Sequence, residues 1–413
     1  MKNFTVKPQQ LAFLDWEFGV FFHFGIRTFY EGHRDWDMKP MPVEGFAPTA
    51  LDCEQWIRTA RDAGAKYAIL VCKHHDGFAN WPSAYTEYSV KNTPWKNGQG
   101  DVVREFTDAC RKYDMKVGLY YSPAQFNSQK MQGREYDDYF INQISELLSN
   151  YGKIDYLWFD GCGSEDHRYD AERITAAIRS MQPEILLFDM WDPDTRWCGN
   201  EAGIAHMPNR NVVYEPDIAN QIKNDPPRDR YLFLPSECDC RMRERNWFYS
   251  DFDEHTVKSL PELMGLYEYS VGRGANLLIN IGPDRRGLLP EKDAARLLEF
   301  GAEIRRRYGD PLVRVEEPVG EDGRYTVELD GYHLIDRVML KEDITGADQI
   351  NRVSIYVMPL HAAMPFLVST NFSVGHKLIA TFPPIAAKRI IVEIGSDAPA
   401  HLREIAVFCA DQG

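Results

Sequence analysis

Residues 66–78 read KYAILVCKHHDGF. After Lys66 the next six are apolar at alternate and intervening positions alike, the pattern of a parallel strand buried on both faces. The run then opens into His74, His75 and Asp76. An apolar strand that ends in titratable side chains predicts an α/β barrel, because in that fold the active site forms where the strands end.

Seven further runs of the same kind lie up to about residue 310: 18–24 (FGVFFHF), 116–121 (KVGLYY), 154–160 (IDYLWFD), 185–189 (ILLFD), 211–214 (NVVY), 231–235 (YLFLP) and 276–281 (NLLINI). Amphipathic stretches at 53–63, 102–113, 137–150, 171–181, 256–273 and 291–308 carry helical periodicity. The order predicts a (β/α)8-like TIM barrel over 1–310. Helices after the fifth and sixth runs are hard to find, which predicts an irregular side. After residue 311 the texture becomes short alternating strands with Gly, Asp and Pro turns. That predicts an all-β sandwich over 311–413.

The chain has 413 residues, 44% hydrophobic and 26% charged, which is globular composition. Its 62 acidic and 47 basic residues give a net charge of −15. A nucleic acid or an anionic membrane needs a basic footprint, so neither is an expected partner. The sequence has no apolar run long enough for a signal peptide or a membrane span. The eight cysteines are scattered and form no paired CxxC motifs. Free buried thiols and a cytoplasmic location are the expectation. A homo-oligomer is left open.

Reading the end of each run tests for a site. His23, the pair His74–His75, Tyr120–Tyr121, Trp158 with Asp160, Glu237 with Asp239, and Asn280 all fall there. Each has a plainer reading. His23 can be a hydrogen-bonded core histidine, and Asp160 can cap the next helix. Loop tryptophans such as Trp36 and Trp247 can pack as lids, although they also stack well on the C–H faces of sugars. Adjacent histidines argue against a metal centre, since barrel metallohydrolases present HxH pairs that share one strand face. GCGSED at 161–166 lacks the third glycine of a dinucleotide loop. No metal or cofactor is expected.

The segments GVFFHFG, CKHHDGFANWPS, DVVREFTDACRKY, KVGLYYSP, DYLWFDG and NLLINIGPDRRG, in order over about 15–308, resemble glycoside hydrolase family 29, the α-L-fucosidases. The resemblance implies a barrel with a C-terminal β-sandwich and retaining exo-hydrolysis of a fucosylated oligosaccharide without a cofactor. Retention requires two carboxyl groups, a nucleophile and an acid/base. Asp160 matches the family's nucleophile in WFDG. RWCGNEAG (196–203) resembles the acid/base segment of the α-1,3/1,4-cleaving branch, which makes Glu201 the leading acid/base; Glu237 and Glu215 stay as alternatives. His23, His74 and His75 match fucose-binding positions, with Tyr121 and Trp158 lining the pocket. SECDCRMRERNWF (236–248) resembles a substrate-contacting stretch and points to Arg243, or Arg245, and to Trp247. In RDWDM, Trp36 is a substrate-contact candidate, with Asp35 or Asp37 behind it. The sandwich either braces the barrel or binds sugar.

Overall fold

The computed structural model describes residues 4–32, 40–124, 131–164, 167–218 and 227–410. Strands β1 (Phe18–Phe22), β2 (Tyr67–Lys73), β3 (Lys116–Tyr121), β4 (Tyr156–Phe159), β5 (Leu186–Phe188) and β6 (Arg196–Trp197) belong to the barrel. A two-stranded antiparallel ribbon follows, β7 (Val212–Tyr214) with β8 (Tyr231–Phe233). Then come the last two barrel strands, β9 (Ser236–Arg241) and β10 (Asn276–Asn280). The eight barrel strands run in the order β5-β4-β3-β2-β1-β10-β9-β6. One parallel bridge, Phe188 to Thr195, spans the gap between β5 and β6. The barrel is nearly closed.

One side departs from the sequence expectation. The runs at 211–214 and 231–235 pair with each other, not with the barrel. The sixth and seventh barrel strands are β6 and β9 instead. In β9 the side chains of Glu237 and Asp239 bond to groups of the barrel interior, so alternation turns Cys238 and Cys240 outward. Polar residues inside and small residues outside invert the usual amphipathic pattern, and SECDCR therefore reads as a loop. The chemistry of the interior hid the strand.

Helices α1 (Pro8–Leu14), α2 (Cys53–Ala63), α3 (Val102–Lys112), α4 (Arg134–Asn150), α5 (Ala171–Met181), α6 (Leu260–Ser270) and α7 (Glu291–Tyr308) complete this part. The side chains of Asp52, Asp101, Asp170 and Ser259 accept the orphan N–H groups of α2, α3, α5 and α6. Such caps contribute about 1 kcal/mol each. Among the described residues no α-helix lies between Met181 and Leu260, which is the irregular side expected.

Inside the barrel, Phe21, Tyr67, Ile69, Tyr120, Tyr156, Trp158 and Phe188 form one buried cluster. Gly19 makes room for it: a Cβ there would stand 2.5 Å from the Tyr67 ring. At the N-terminal end α1 acts as a plug. Phe13 enters the cluster, and Gln10 Nε2 donates to the carbonyls of Asp194 and Phe233. With α1 plugging that end, the residues at the C-terminal ends of the strands face the barrel mouth.

The C-terminal part begins with β11 (Val313–Glu316) and continues through β12 (Arg324–Glu342), β13 (Ile350–Pro359), β14 (Phe366–Asn371), β15 (Leu378–Ser396) and β16 (Leu402–Phe408). These form one antiparallel sheet, ordered β11-β16-β12-β15-β13-β14. Register breaks in β12 and β15 let the long strands bend around a core of Tyr325, Val338, Ile355, Ile390 and Ile405. Met339, Ile379 and Phe408 face the other way, into the barrel's outer core. Glu268 of α6 clamps the joint by accepting from Tyr308 Oη at 2.6 Å and from Arg337 Nε at 3.1 Å. Among the described residues no helix is long and apolar enough to cross a membrane.

Candidate active site

Asp160 follows the last residue of β4 and faces the open end of the barrel. Oδ1 accepts the Cys162 N–H at 2.9 Å, and Oδ2 accepts the Tyr120 hydroxyl at 2.8 Å. His75 Nε2 lies 3.4 Å from Oδ2. Burial alone would raise the carboxyl's pKa, but the charge and hydrogen bond of His75 outweigh it and hold Asp160 below its usual value. For His75, burial works against protonation, yet Asp160 prevails and lifts its pKa to about 9. Ser122 Oγ, 2.6 Å from Nδ1, fixes the other side of the ring. The result is an ionised carboxylate with a fixed aim.

His74 stacks on Tyr120 with ring centroids 5.6 Å apart, and His23 lies 5.7 Å beyond it. His23 Nδ1 is 2.7 Å from Asn280 Oδ1 at the end of β10. Burial pushes the pKa of His23 down to about 3, so it is a neutral imidazole that donates to Asn280. Trp247 covers His23 at 5.0 Å. These groups form a wall of donors and aromatic faces beside the Asp160 carboxylate. Such a surface suits the hydroxyls and C–H faces of a sugar.

Glu237 lies in the barrel interior, only 1% exposed. It accepts from Tyr67 Oη at 2.6 Å and from Trp158 Nε1 at 2.8 Å. Burial raises its pKa to about 7, with the donors offsetting part of the effect. Trp158 in turn stacks on Tyr120 at 5.4 Å. Glu237 therefore supports the floor beneath Asp160. Glu201 occupies the opposite situation, in a loop after β6 bounded by Gly199 and Gly203, both at positive φ. Its side chain is 49% exposed and pairs with Arg241 Nη1 at 2.9 Å. Arg241, the last residue of β9, lies over Trp247 at 5.0 Å. That contact joins the Glu201 loop to the His23 wall.

The family profile described as Alpha-L-fucosidase matches residues 37–307, well over half of the chain. The chain belongs to the α-L-fucosidase family. Alpha-L-fucosidase 1 of Arabidopsis thaliana is 35% identical over 314 residues, covering 73% of this chain and 61% of that protein. The tissue alpha-L-fucosidase of Mus musculus is 26% identical, covering 71% and 69% respectively. A crystal structure of a glycoside hydrolase 29 family member from an unknown rumen bacterium superposes with a TM-score of 0.89 at 29% identity. That match covers 99% of this chain and 78% of the other. The chain thus spans about three fifths of the length of the plant relative.

Set against the family-derived expectations, the structure gathers Asp160, His23, His74, His75, Trp158 and Trp247 around the barrel mouth and interior. It moves Tyr121 elsewhere. The Tyr121 ring packs edge-on against Phe140 of α4, and its hydroxyl donates to Gln143 Oε1 at 2.6 Å, on the barrel's outer face. Tyr120 takes the inward position. Arg243 is also turned away: it forms a two-pronged pair with Asp293 at 2.9 and 2.8 Å and reaches Asp253 at 3.1 Å. Arg245 is exposed. Arg241 is the arginine at the mouth, and strand parity with Glu237 and Asp239 was the signal that could have found it. Glu215 is engaged with Arg230 near the β7–β8 ribbon. Trp36, Asp35 and Asp37 lie outside the described residues. Asp189, at the end of β5 with φ 61, was missed; burial lifts its pKa to about 7.

Proposed function

We propose that this chain is a retaining exo-α-L-fucosidase that releases terminal fucose from oligosaccharides by double displacement. The observation that carries the reading is Asp160, kept anionic by His75 and aimed by Tyr120 and Cys162 N–H. In the first step the carboxylate attacks the anomeric carbon while an acid protonates the leaving oxygen. In the second, water attacks the fucosyl–enzyme ester as the same group accepts its proton. Glu201 is the acid/base in this reading. It is solvent-accessible, borne on a loop with glycines at both flanks, and placed beside the Arg241–Trp247 edge of the mouth. Glu237 fits the role less well, being enclosed by Tyr67, Tyr156 and Trp158.

His23, His74 and Trp247 would receive the sugar, with the imidazoles hydrogen-bonding its hydroxyls. The RWCGNEAG loop supports a preference for α-1,3 and α-1,4 linkages. Hydrolysis of an aryl α-L-fucoside tests the activity, and proton NMR of the first-formed anomer tests retention. Lewis-type trisaccharides compared with 2′-fucosyllactose test linkage; faster cleavage of 2′-fucosyllactose would reject the α-1,3/1,4 assignment.

A further inference from the structure

Two thiols face one another across the thinnest joint of the barrel. β6 has only two residues, and it pairs with β9 in the register Arg196 with Ser236 and Trp197 with Glu237. The next step of that register sets Cys198 beside Cys238, and the Cys198 N–H still donates to the Glu237 carbonyl at 2.9 Å. Strand neighbours lie about 4.8 Å apart. That falls inside the Cα separation a disulfide spans, roughly 4.4–6.8 Å. Trp197 and Asp239 bond to each other on the inner face. Alternation therefore puts both cysteine side chains on the outer face, where they share a small buried cluster with Ala205 and Ala275. There each thiol shifts the other's acidity, and Cys198 Sγ donates to the Asn200 carbonyl at 3.4 Å.

Access differs between them. Cys198 forms part of the wall of a cavity of about 700 Å³, with Trp197, Gly199, Arg210 and Tyr214. Cys238 is fully buried behind it. Neighbouring Cys238, opposed by burial and aided by Asn200 and Arg196, lowers the pKa of Cys198. A more acidic thiol at a cavity wall, 7% exposed against 0% for its partner, is the arrangement of an attacking and a resolving cysteine.

We propose that Cys198 and Cys238 are a modification site that reacts with low-molecular-weight disulfides and closes into an intramolecular disulfide, stapling β6 to β9 at the base of the Glu201 loop. The Cys198 thiolate attacks one sulfur of the small disulfide and expels the first small thiol. Cys238 then loses its proton, attacks Cys198 Sγ and expels the second. The protein gives up two protons and two electrons, and the small disulfide takes them up and leaves as two thiols. The crosslink restricts the unfolded chain and ties the two-residue strand to a longer one, so the oxidised protein melts at a higher temperature.

The test is to incubate the full chain with oxidised glutathione, block remaining thiols, and map the peptides. The expected result is a 198–238 crosslink, a Tm raised by several degrees, and reversal of both by dithiothreitol. Cys238→Ala should instead trap glutathione on Cys198, and Cys198→Ser should abolish the rise in Tm. The proposal is overturned if Cys198 and Cys238 both stay open to alkylation while Cys162, the exposed thiol near Asp160, alone carries glutathione. A Tm rise that persists in Cys198→Ser overturns it equally.

Discussion

His75 Nε2 stands 3.4 Å from Asp160 Oδ2, and each group holds the other in its charged form. The pair gives the barrel mouth an anion whose charge survives burial. Its consequences for pH have a definite sign. His75 is raised to about 9, so its contribution to stability is complete below its unfolded pKa near 6.5. That contribution is lost as pH climbs through 9. Asp160 is depressed, so its contribution is complete above about 4 and is lost as pH falls through its lowered pKa. Thermal unfolding followed from pH 6 to 10 should show a decline in Tm of the wild type that is reduced in Asp160→Asn. The difference should be on the order of 1–3 kcal/mol. Parallel declines in the two proteins would reject the coupling.

Asp160→Gly should fold normally and lose turnover of an aryl fucoside by about three or more orders of magnitude. Azide should restore part of the rate, because a small anion fits the space the carboxylate leaves. An active Asp160→Gly enzyme without azide would remove Asp160 as nucleophile.

Adjacent tyrosines on β3 should behave oppositely. Tyr120→Phe removes a hydrogen bond to a charged acceptor, worth about 1.5–3 kcal/mol, and should slow kcat by roughly 10–100-fold. Tyr121→Phe deprives the buried Gln143 Oε1 of its donor on the outer face, so about 1 kcal/mol of stability should go while kcat stays unchanged. The comparison needs only steady-state rates and melting curves.

A similar split separates Arg241 from Arg243. Removing Arg243 leaves Asp293 and Asp253 buried without their cation, and Arg243→Ala should cost about 3–5 kcal/mol of stability. Arg241→Ala should melt like the wild type but alter kcat/KM, since it frees Glu201 and uncovers Trp247.

These pairs also mark how far the sequence could be read. Strands such as β2 and β10 announce themselves because both faces are buried in hydrocarbon, leaving a continuous apolar run. β9 does not, because Glu237 and Asp239 point inward and give it the texture of a loop. Which of Tyr120 and Tyr121 faces inward depends on one residue of register, which apolar content does not encode. Arg243 could be picked out as a residue type in a family-like stretch. Its partners, Asp253 and Asp293, are set by distant segments and come together only in the fold. Asp160, His23, His74 and His75 were legible because each directly follows or ends a run whose identity was unambiguous.

The acid/base assignment makes the most demanding prediction, because two glutamates compete for it in opposite environments. A general acid matters most where the leaving oxygen is a poor leaving group. Glu201→Ala should therefore abolish cleavage of natural oligosaccharides, while an aryl fucoside with an acidic leaving group still fucosylates the enzyme. Deglycosylation would then be slow, and the fucosyl–enzyme ester should accumulate, detectable by intact-mass measurement. Azide should speed its breakdown. Glu237 is enclosed and bonded to Tyr67 and Trp158, with its pKa raised to about 7. Glu237→Gln preserves the shape and the acceptor for one donor, and should cost stability while leaving the ratio of oligosaccharide to aryl-fucoside rates near that of the wild type. If instead Glu237→Gln accumulates the intermediate and Glu201→Ala keeps the wild-type ratio, the proton is carried from the barrel interior, and Glu201 serves only to hold Arg241 over Trp247.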